Sequence, residues 1–380
     1  MNFDLSAEHQ LVRYTVREFA TERIAPQAAG LDREHRFPYE LVAELAELGL
    51  MGMPIPEEYG GEGSDTLAYA IAIEELTRID SSVAITVAAH TSLGTMPIYL
   101  FGSDEQKREW LPDLASGRRL AGFGLTEPGA GSDAGATRTR AELRDGQWVI
   151  DGAKMFITNA GTDITACVSI TALTGENEVS NIIVPNGAPG YEISAPMEKL
   201  GWRASDTREL SFHGCAVPEG NLLGPRGQGF HQFLEILDGG RISVAAMGVG
   251  LAQGAYDLAH AYALERRQFG RAIGSFQAIQ FQLVDMAVEI EAGRALVHKA
   301  AWLKDAGRPF ALEAAMAKLY TGLLSNRAVN AALQIHGGYG FMDEFPISRL
   351  YRDQKILEIG EGTNEVQRMV IARHLGLPPG

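Results

Sequence analysis

The spacing of apolar positions changes twice along the chain, dividing it into three regions. Up to about residue 120 the spacing is helical. Leu11, Tyr14, Phe19 and Ile24 fall near one stripe, and Pro38 opens a segment carrying Leu41, Leu45 and Leu48. Ser103-Asp-Glu-Gln106 is a capping-box pattern, so another helix should begin there. From Ala121 the pattern alternates. Gln147-Trp-Val-Ile150, Cys167-Val-Ser-Ile170, Asn181-Ile-Ile-Val184 and Leu210-Ser-Phe212 predict strands, and Thr137 to Leu143 a further one. Asp145-Gly, Asp151-Gly, Asn159-Ala-Gly and Pro189-Gly supply the turns between them. After Gly229 the helical period returns in long Ala- and Leu-rich segments, Gly240 to Arg267, Phe276 to Asp305 and Pro309 to His336. Their lengths suit a four-helix bundle with short loops. Gly248 and Gly250 interrupt the small-apolar run Val244 to Ala252, a pattern suited to close helix packing.

The expected fold is therefore mixed α and β, mainly α. Residues 1–120 form an N-terminal helical domain, 121–227 a middle β-barrel or β-sandwich domain, and 228–380 a C-terminal four-helix bundle. Strand and helix do not alternate as in a doubly wound dinucleotide fold. Gly129 to Ala134 matches GxGxxA, but the motif needs a following helix, and a strand is predicted there instead.

Charge and composition remove several function classes. The formal net charge is −15, which argues against nucleic acid as a partner. An anionic ligand would have to be held by a few local cations and backbone N–H groups. The two cysteines, Cys167 and Cys215, are far apart and lack metal-site spacing, so both are expected to be reduced and buried. The nine histidines form no HxxxH or HExxH pattern, and no metal is expected. The N-terminus lacks the basic and apolar blocks of a signal peptide, and no apolar run reads as long enough to span a bilayer. The expectation is a cytoplasmic protein without membrane insertion.

Candidate chemistry lies in a few segments. Leu125-Thr126 should end a strand, and Ser132 follows a turn whose glycines permit close backbone approach. Phe156-Ile-Thr158 is a second hydroxyl–aromatic cluster. Together they could cover a flat, polar-edged ring. Glu361, between Gly360 and Gly362, is locally either a solvated turn acid or a carboxylate placed where a substrate can approach closely. Arg266 and Arg267 read as a solvated helix end or an anion site. Asp238 and Arg241 fit an N-cap with a nearby ion pair.

Three of these segments carry a resemblance. Leu125-Thr-Glu-Pro-Gly-Ala-Gly-Ser-Asp133, Arg266-Arg-Gln-Phe-Gly270 with Gln277, and Gln334-Ile-His-Gly-Gly-Tyr-Gly-Phe341 through Tyr351-Arg-Asp-Gln-Lys355 to Glu361-Gly-Thr-Asn-Glu365 occur in this order. The chain resembles the acyl-CoA dehydrogenase family over essentially all 380 residues. The resemblance implies FAD as cofactor, an acyl-CoA substrate, an electron-transfer flavoprotein as partner, and a homotetramer built as a dimer of dimers. It implies flavin contacts from Phe123, Leu125, Thr126, Ser132, Phe156 and Thr158. Arg266, Phe269, Gln277, Gln334, Gly337 and Gly338 would hold the pyrophosphate and adenosine part, partly across a subunit interface, with Thr363 and Glu365 completing the site. Asp238, Arg241, Ser132 and Gly362 would contact the substrate. Glu361 would be the catalytic base, with its N–H helping to bind the thioester oxygen.

Some relatives carry the base at the position of Gly240, which has no carboxylate here. Val83 to Ser92 lacks the Arg that binds a distal carboxylate in glutaryl-CoA relatives. A dicarboxylic substrate is therefore not expected; straight or small branched acyl groups remain, with straight short or medium chains favoured. Two alternatives stand beside this expectation: an acyl-CoA oxidase using O₂, and a catalytically silent helical scaffold. Phe156 replaces a Trp, and Gly360 a Tyr, of many relatives.

Overall fold

The computed structural model describes residues 4–378. Helices α1 (Ala7–Phe19), α2 (Ala25–Glu34), α3 (Tyr39–Glu47), α4 (Thr66–Ile79), α5 (Ser81–Ala88), α6 (Met96–Phe101) and α7 (Asp104–Ala115) build the N-terminal domain. Ser103 and Gln106 form the expected capping box of α7. The expected stripe at the N-terminus divides. Phe19 and Ile24 are buried, whereas Leu11 and Tyr14 are exposed. The inward face of α1 is Val12, Val16 and Phe19, and a π-helical turn at Ala20–Ile24 changes the phase before α2.

Ser81 to Phe101 runs as one continuous helical stretch that is long and apolar enough to cross a bilayer, which corrects the expectation of no such segment. Interspersed Ser, Thr and His residues hide its length in the sequence. Some 78% of its most apolar window is buried inside the protein, so core packing accounts for its composition.

The middle domain is one eight-stranded sheet in which β1 (Leu120–Gly124) pairs parallel with β4 (Thr165–Gly175). The remaining order is β6 (Tyr191–Ile193), β7 (Thr207–Pro218), β3 (Gln147–Thr158), β2 (Arg140–Arg144), β4, β5 (Glu178–Pro185), β8 (Leu222–Leu223). Ala141, Trp148, Ile150, Val168, Ile182 and Phe212 bring five of these strands into one core. The strand expected from Thr137 begins only at Arg140. The carboxylate of Glu127 takes the N–H groups of Arg138 and Thr139 at 2.7 and 3.0 Å, withdrawing them from any ladder. Cys167 and Cys215 are free and buried.

In the C-terminal domain α8 (Gly229–Glu265), α9 (Gln277–Asp305) and α10 (Ala311–His336) pack with α11 (Pro346–Asp353) and α12 (Asn364–His374). Helix α8 starts at Gly229, eleven residues before the expected Gly240. Asp238 is therefore an interior helical residue and not an N-cap. Helix α8 packs along its length against α10, α4 and α9, and this packing sustains it through the Gly239-Gly240 pair that looks like a break.

The glycines of α8 set its distance from its neighbours. A Cβ on Gly248 would lie 2.8 Å from Thr321 Cβ on α10, and one on Gly250 only 2.2 Å from the Glu74 carbonyl oxygen on α4. Backbone cannot move aside as a side chain can. Gly250→Ala gains about 1 kcal/mol of helix propensity, but forcing the two helices apart costs about 3 kcal/mol. A net destabilisation of about 2 kcal/mol is expected in urea unfolding; an unchanged midpoint would contradict this packing account.

Candidate active site

Between a 3₁₀ run (Gln354–Glu358) and α12 the chain turns at Gly360-Glu361-Gly362. Glu361 has φ +51° and Gly362 φ +89°. The left-handed region costs a non-glycine residue about 1 kcal/mol or more, so the turn must be held. Thr363 caps α12 by accepting from Val366 N–H at 3.3 Å. Gln367 Nε2 donates to the carbonyls of Glu361 and Gly362 at 3.3 and 3.0 Å, and Lys318 Nζ donates to Gly362 O at 2.7 Å.

The turn directs the Glu361 carboxylate at the backbone of α8. A Cβ on Gly240 would sit 2.4 Å from Oε2. Oε2 is closed off from solvent and has no hydrogen-bond partner, although the residue as a whole is only half-buried. Burial pushes the carboxyl up to about 7, opposed by the positive charges of Lys318 and Arg241. A buried unpaired oxygen costs about 1–3 kcal/mol. Its retention here is accounted for if the carboxylate acts on something that enters.

Asp238 and Arg241, one turn apart on α8, form an ion pair. Arg241 is buried and its Nε also lacks a partner. Burial raises the Asp238 carboxyl and lowers the Arg241 guanidinium, each opposed by the other's charge. An unmatched donor and an unmatched acceptor thus lie beside the same stretch of α8.

The ends of β1 and β3 meet. Met155 N–H donates to Thr126 O at 2.7 Å, and a Cβ on Gly122 would lie 2.9 Å from Thr158 O. Phe123 is buried and stacks on Phe233 with centroids 6.5 Å apart. Leu125, Thr126 and Thr158 are half-buried, while Ser132 is exposed in the Gly-rich loop. Phe156 has φ +64° and is 64% exposed. Packing does not account for a bulky aromatic held open in a left-handed backbone. Its open face leaves room for a flat ligand.

The second group gathers at the opposite end of the bundle. Arg266 follows α8, with its guanidinium 5.2 Å from the ring centroid of Tyr339 in the 3₁₀ turn Gly337–Phe341. Gln334 lies in the last turn of α10, Gly337 and Gly338 directly follow it, and Gln277 begins α9. Phe269 projects from the turn between two short strands (Arg267–Gln268, Arg271–Ala272) with φ +52° and 93% exposure. Among the described residues, no side-chain hydrogen bond, ion pair or ring contact joins this group to Phe156 or Glu361 within the chain. His336 stacks on Tyr262 and its Nδ1 meets Ala332 O at 2.7 Å, a structural role. Glu365 is exposed in the first turn of α12.

Models of the acyl-CoA dehydrogenase N-terminal, middle and C-terminal domains match residues 6–118, 122–215 and 227–376. The chain belongs to the acyl-CoA dehydrogenase family. It is 52% identical to a probable acyl-CoA dehydrogenase of Bacillus subtilis, over 99% of this chain and all of that one. It is 44% identical to the short-chain specific acyl-CoA dehydrogenase of Clostridium acetobutylicum, over 98% of this chain and 99% of that one. The solved structure of butyryl-CoA dehydrogenase from Megasphaera elsdenii superposes with a TM-score of 0.96 at 40% identity, covering 99% of this chain and all of that one.

For this acyl-CoA dehydrogenase family member, sequence spacing missed several residues that hold the site. Lys154 is fully buried and donates to Glu127 Oε1 at 2.8 Å, Thr171 Oγ1 at 3.0 Å and Leu125 O at 3.2 Å. With the Glu127 contacts to Arg138 and Thr139 it fixes both ends of the Gly-rich loop. Glu127 lies inside the quoted segment, but nothing local marks it as buried. Lys318 and Gln367 likewise resemble ordinary solvated helix residues in sequence.

Proposed function

We propose that this protein is an FAD-dependent acyl-CoA dehydrogenase that converts an acyl-CoA thioester to the trans-2-enoyl-CoA, with Glu361 as the base. The observation that carries this reading is the enclosed, unpartnered Glu361 carboxylate of raised proton affinity above Gly240. Glu361 takes the α-proton of the acyl group. The Glu361 N–H is the candidate donor to the thioester oxygen as it gains negative charge. Asp238 and Arg241 hold the CoA end of the substrate, with Ser132 and Gly362 as further contacts.

The exposed Phe156 ring and the half-buried Thr126 and Thr158 fit the isoalloxazine ring of FAD. FAD supplies the hydride acceptor when bound. Phe123, Leu125, Thr126, Ser132, Phe156 and Thr158 line its ring. Arg266, Phe269, Gln277, Gln334, Gly337 and Gly338 hold its pyrophosphate and adenosine, with Thr363 and Glu365 at the edge. That no side-chain contact joins the two groups within one chain, among the described residues, supports a second subunit at the site, and hence the dimer of dimers. The exposed stripe Phe281, Val284 and Val288 on α9 is compatible with such an interface.

The short-chain and butyryl-CoA relatives support a short straight acyl chain, and Val83–Ser92 carries no Arg or Lys for a second carboxylate. The experiment is turnover across a panel of acyl-CoAs with an electron-transfer flavoprotein or O₂ as acceptor. Short straight chains with the flavoprotein should be fastest. Peroxide formed at the rate of substrate consumption would make the protein an oxidase instead.

Only the ionised carboxylate can accept the α-proton. With Glu361 pushed up to about 7, kcat/KM should rise as pH increases through about 7. An acid limb near the ordinary carboxylate value, below pH 5, would contradict the enclosed-carboxylate account.

A further inference from the structure

We propose that Lys318 is a positioning residue for the reaction: with Gln367 it anchors the Glu361–Gly362 turn through its carbonyls, and it sets a fixed positive charge beside the Glu361 carboxylate. This rests on Glu361 being the base.

Lys318 sits on α10 and is fully buried. An ammonium has three donors, yet its hydrogen bond goes to a single backbone oxygen, Gly362 O at 2.7 Å. The other fully buried lysine, Lys154, behaves as a structural cation and bonds directly to the Glu127 carboxylate at 2.8 Å. Lys318 has no such carboxylate contact. Leaving an ammonium without one is costly in stability alone, since buried charges are normally paired.

The charges facing Lys318 come from three elements. They are Arg241 on α8, Glu358 and Glu361 before α12, and Glu365 at the start of α12. Arg241 is engaged by Asp238. Glu358 is engaged by Asn326 at 2.5 Å and Lys355 at 3.1 Å, and Glu365 is exposed. Glu361 alone lies enclosed with a free oxygen. The groups facing Glu361 are Lys318, Arg241 and the phenol of Tyr69, which its surroundings keep neutral. Burial lowers Lys318 to about 8, so it remains charged at neutral pH, when Glu361 must ionise.

Gln367 reaches the same turn from α12 and brings no charge. Its two bonds to the Glu361 and Gly362 carbonyls complete the support of a residue at positive φ. The two anchors therefore separate by their effects.

The test compares K318M, K318Q and Q367L as flavin-loaded enzymes. Both Lys318 variants should shift the acid limb of kcat/KM upward by about one pH unit, because an opposite charge nearby lowers a carboxyl by that order. K318M, lacking any donor, should also lose about 10-fold in kcat above the limb, with KM nearly unchanged. Q367L should lose a similar factor in kcat with the limb in place. Folded Lys318 variants with a wild-type pH profile overturn the charge role. Wild-type kcat in K318M overturns the anchoring by Lys318, and wild-type kcat in Q367L the anchoring by Gln367; K318Q, which keeps a donor, carries the test of the charge where K318M does not fold. Full turnover in E361Q would instead remove the base itself.

Discussion

Glu361→Gln is expected to leave a folded, flavin-binding protein whose turnover on any acyl-CoA is lower by about 10³-fold or more. The substitution keeps the shape of the side chain, and Oε2 makes no hydrogen bond that the amide would lose. What disappears is the ability to accept a proton. The stability change should have the opposite sign to the activity change. A carboxyl raised from its ordinary value loses folded-state stability as pH climbs from the unfolded value through about 7. The variant does not titrate there. It should therefore gain stability relative to wild type between pH 5 and pH 8, read as the difference in melting temperature. A variant with near-normal turnover would move the base elsewhere.

Gly240→Ala should uncouple stability from catalysis in the same direction. In the interior of α8, Ala is favoured over Gly by about 1 kcal/mol. Its methyl group, however, would begin 2.4 Å from Glu361 Oε2. The end of a side chain yields more readily than helix backbone, so the carboxylate moves and the helix stays. A displacement of about 1 Å at a reacting group costs about 10²-fold in rate. We expect a melting temperature equal to or above that of wild type with kcat lower by about 10²-fold. Unchanged kcat would show that the carboxylate works from a different position.

These two residues also mark what the sequence could and could not disclose. The capping box at Ser103, the strands around Trp148 and Ile182 and the free cysteines were legible because local chemistry determines them. The start of α8 was not, since Gly239-Gly240 looks like a break and only packing against other elements carries the helix through it. Leu11 and Tyr14 were misplaced because helical spacing admits two adjacent stripes, and the partner helix selects one. At the site, Glu361 stood out only through resemblance to the family. By itself it is a glycine-flanked acid. Lys318, Gln367, Glu127 and Lys154 were invisible because their roles come from burial among residues distant in sequence, as in the contact between Lys318 and Gly362. The juxtaposition of Gly240 and Glu361 is a tertiary fact of the same kind.

Anaerobic rapid mixing of the flavin-loaded protein with butyryl-, hexanoyl- or octanoyl-CoA, followed at the flavin absorbance, tests the central claim most directly. The wild type should bleach with at least one of these thioesters, and E361Q should bind the same thioester yet bleach about 10³-fold more slowly. Bleaching of E361Q at the wild-type rate, or no bleaching of the wild type by any of the three, would contradict the account.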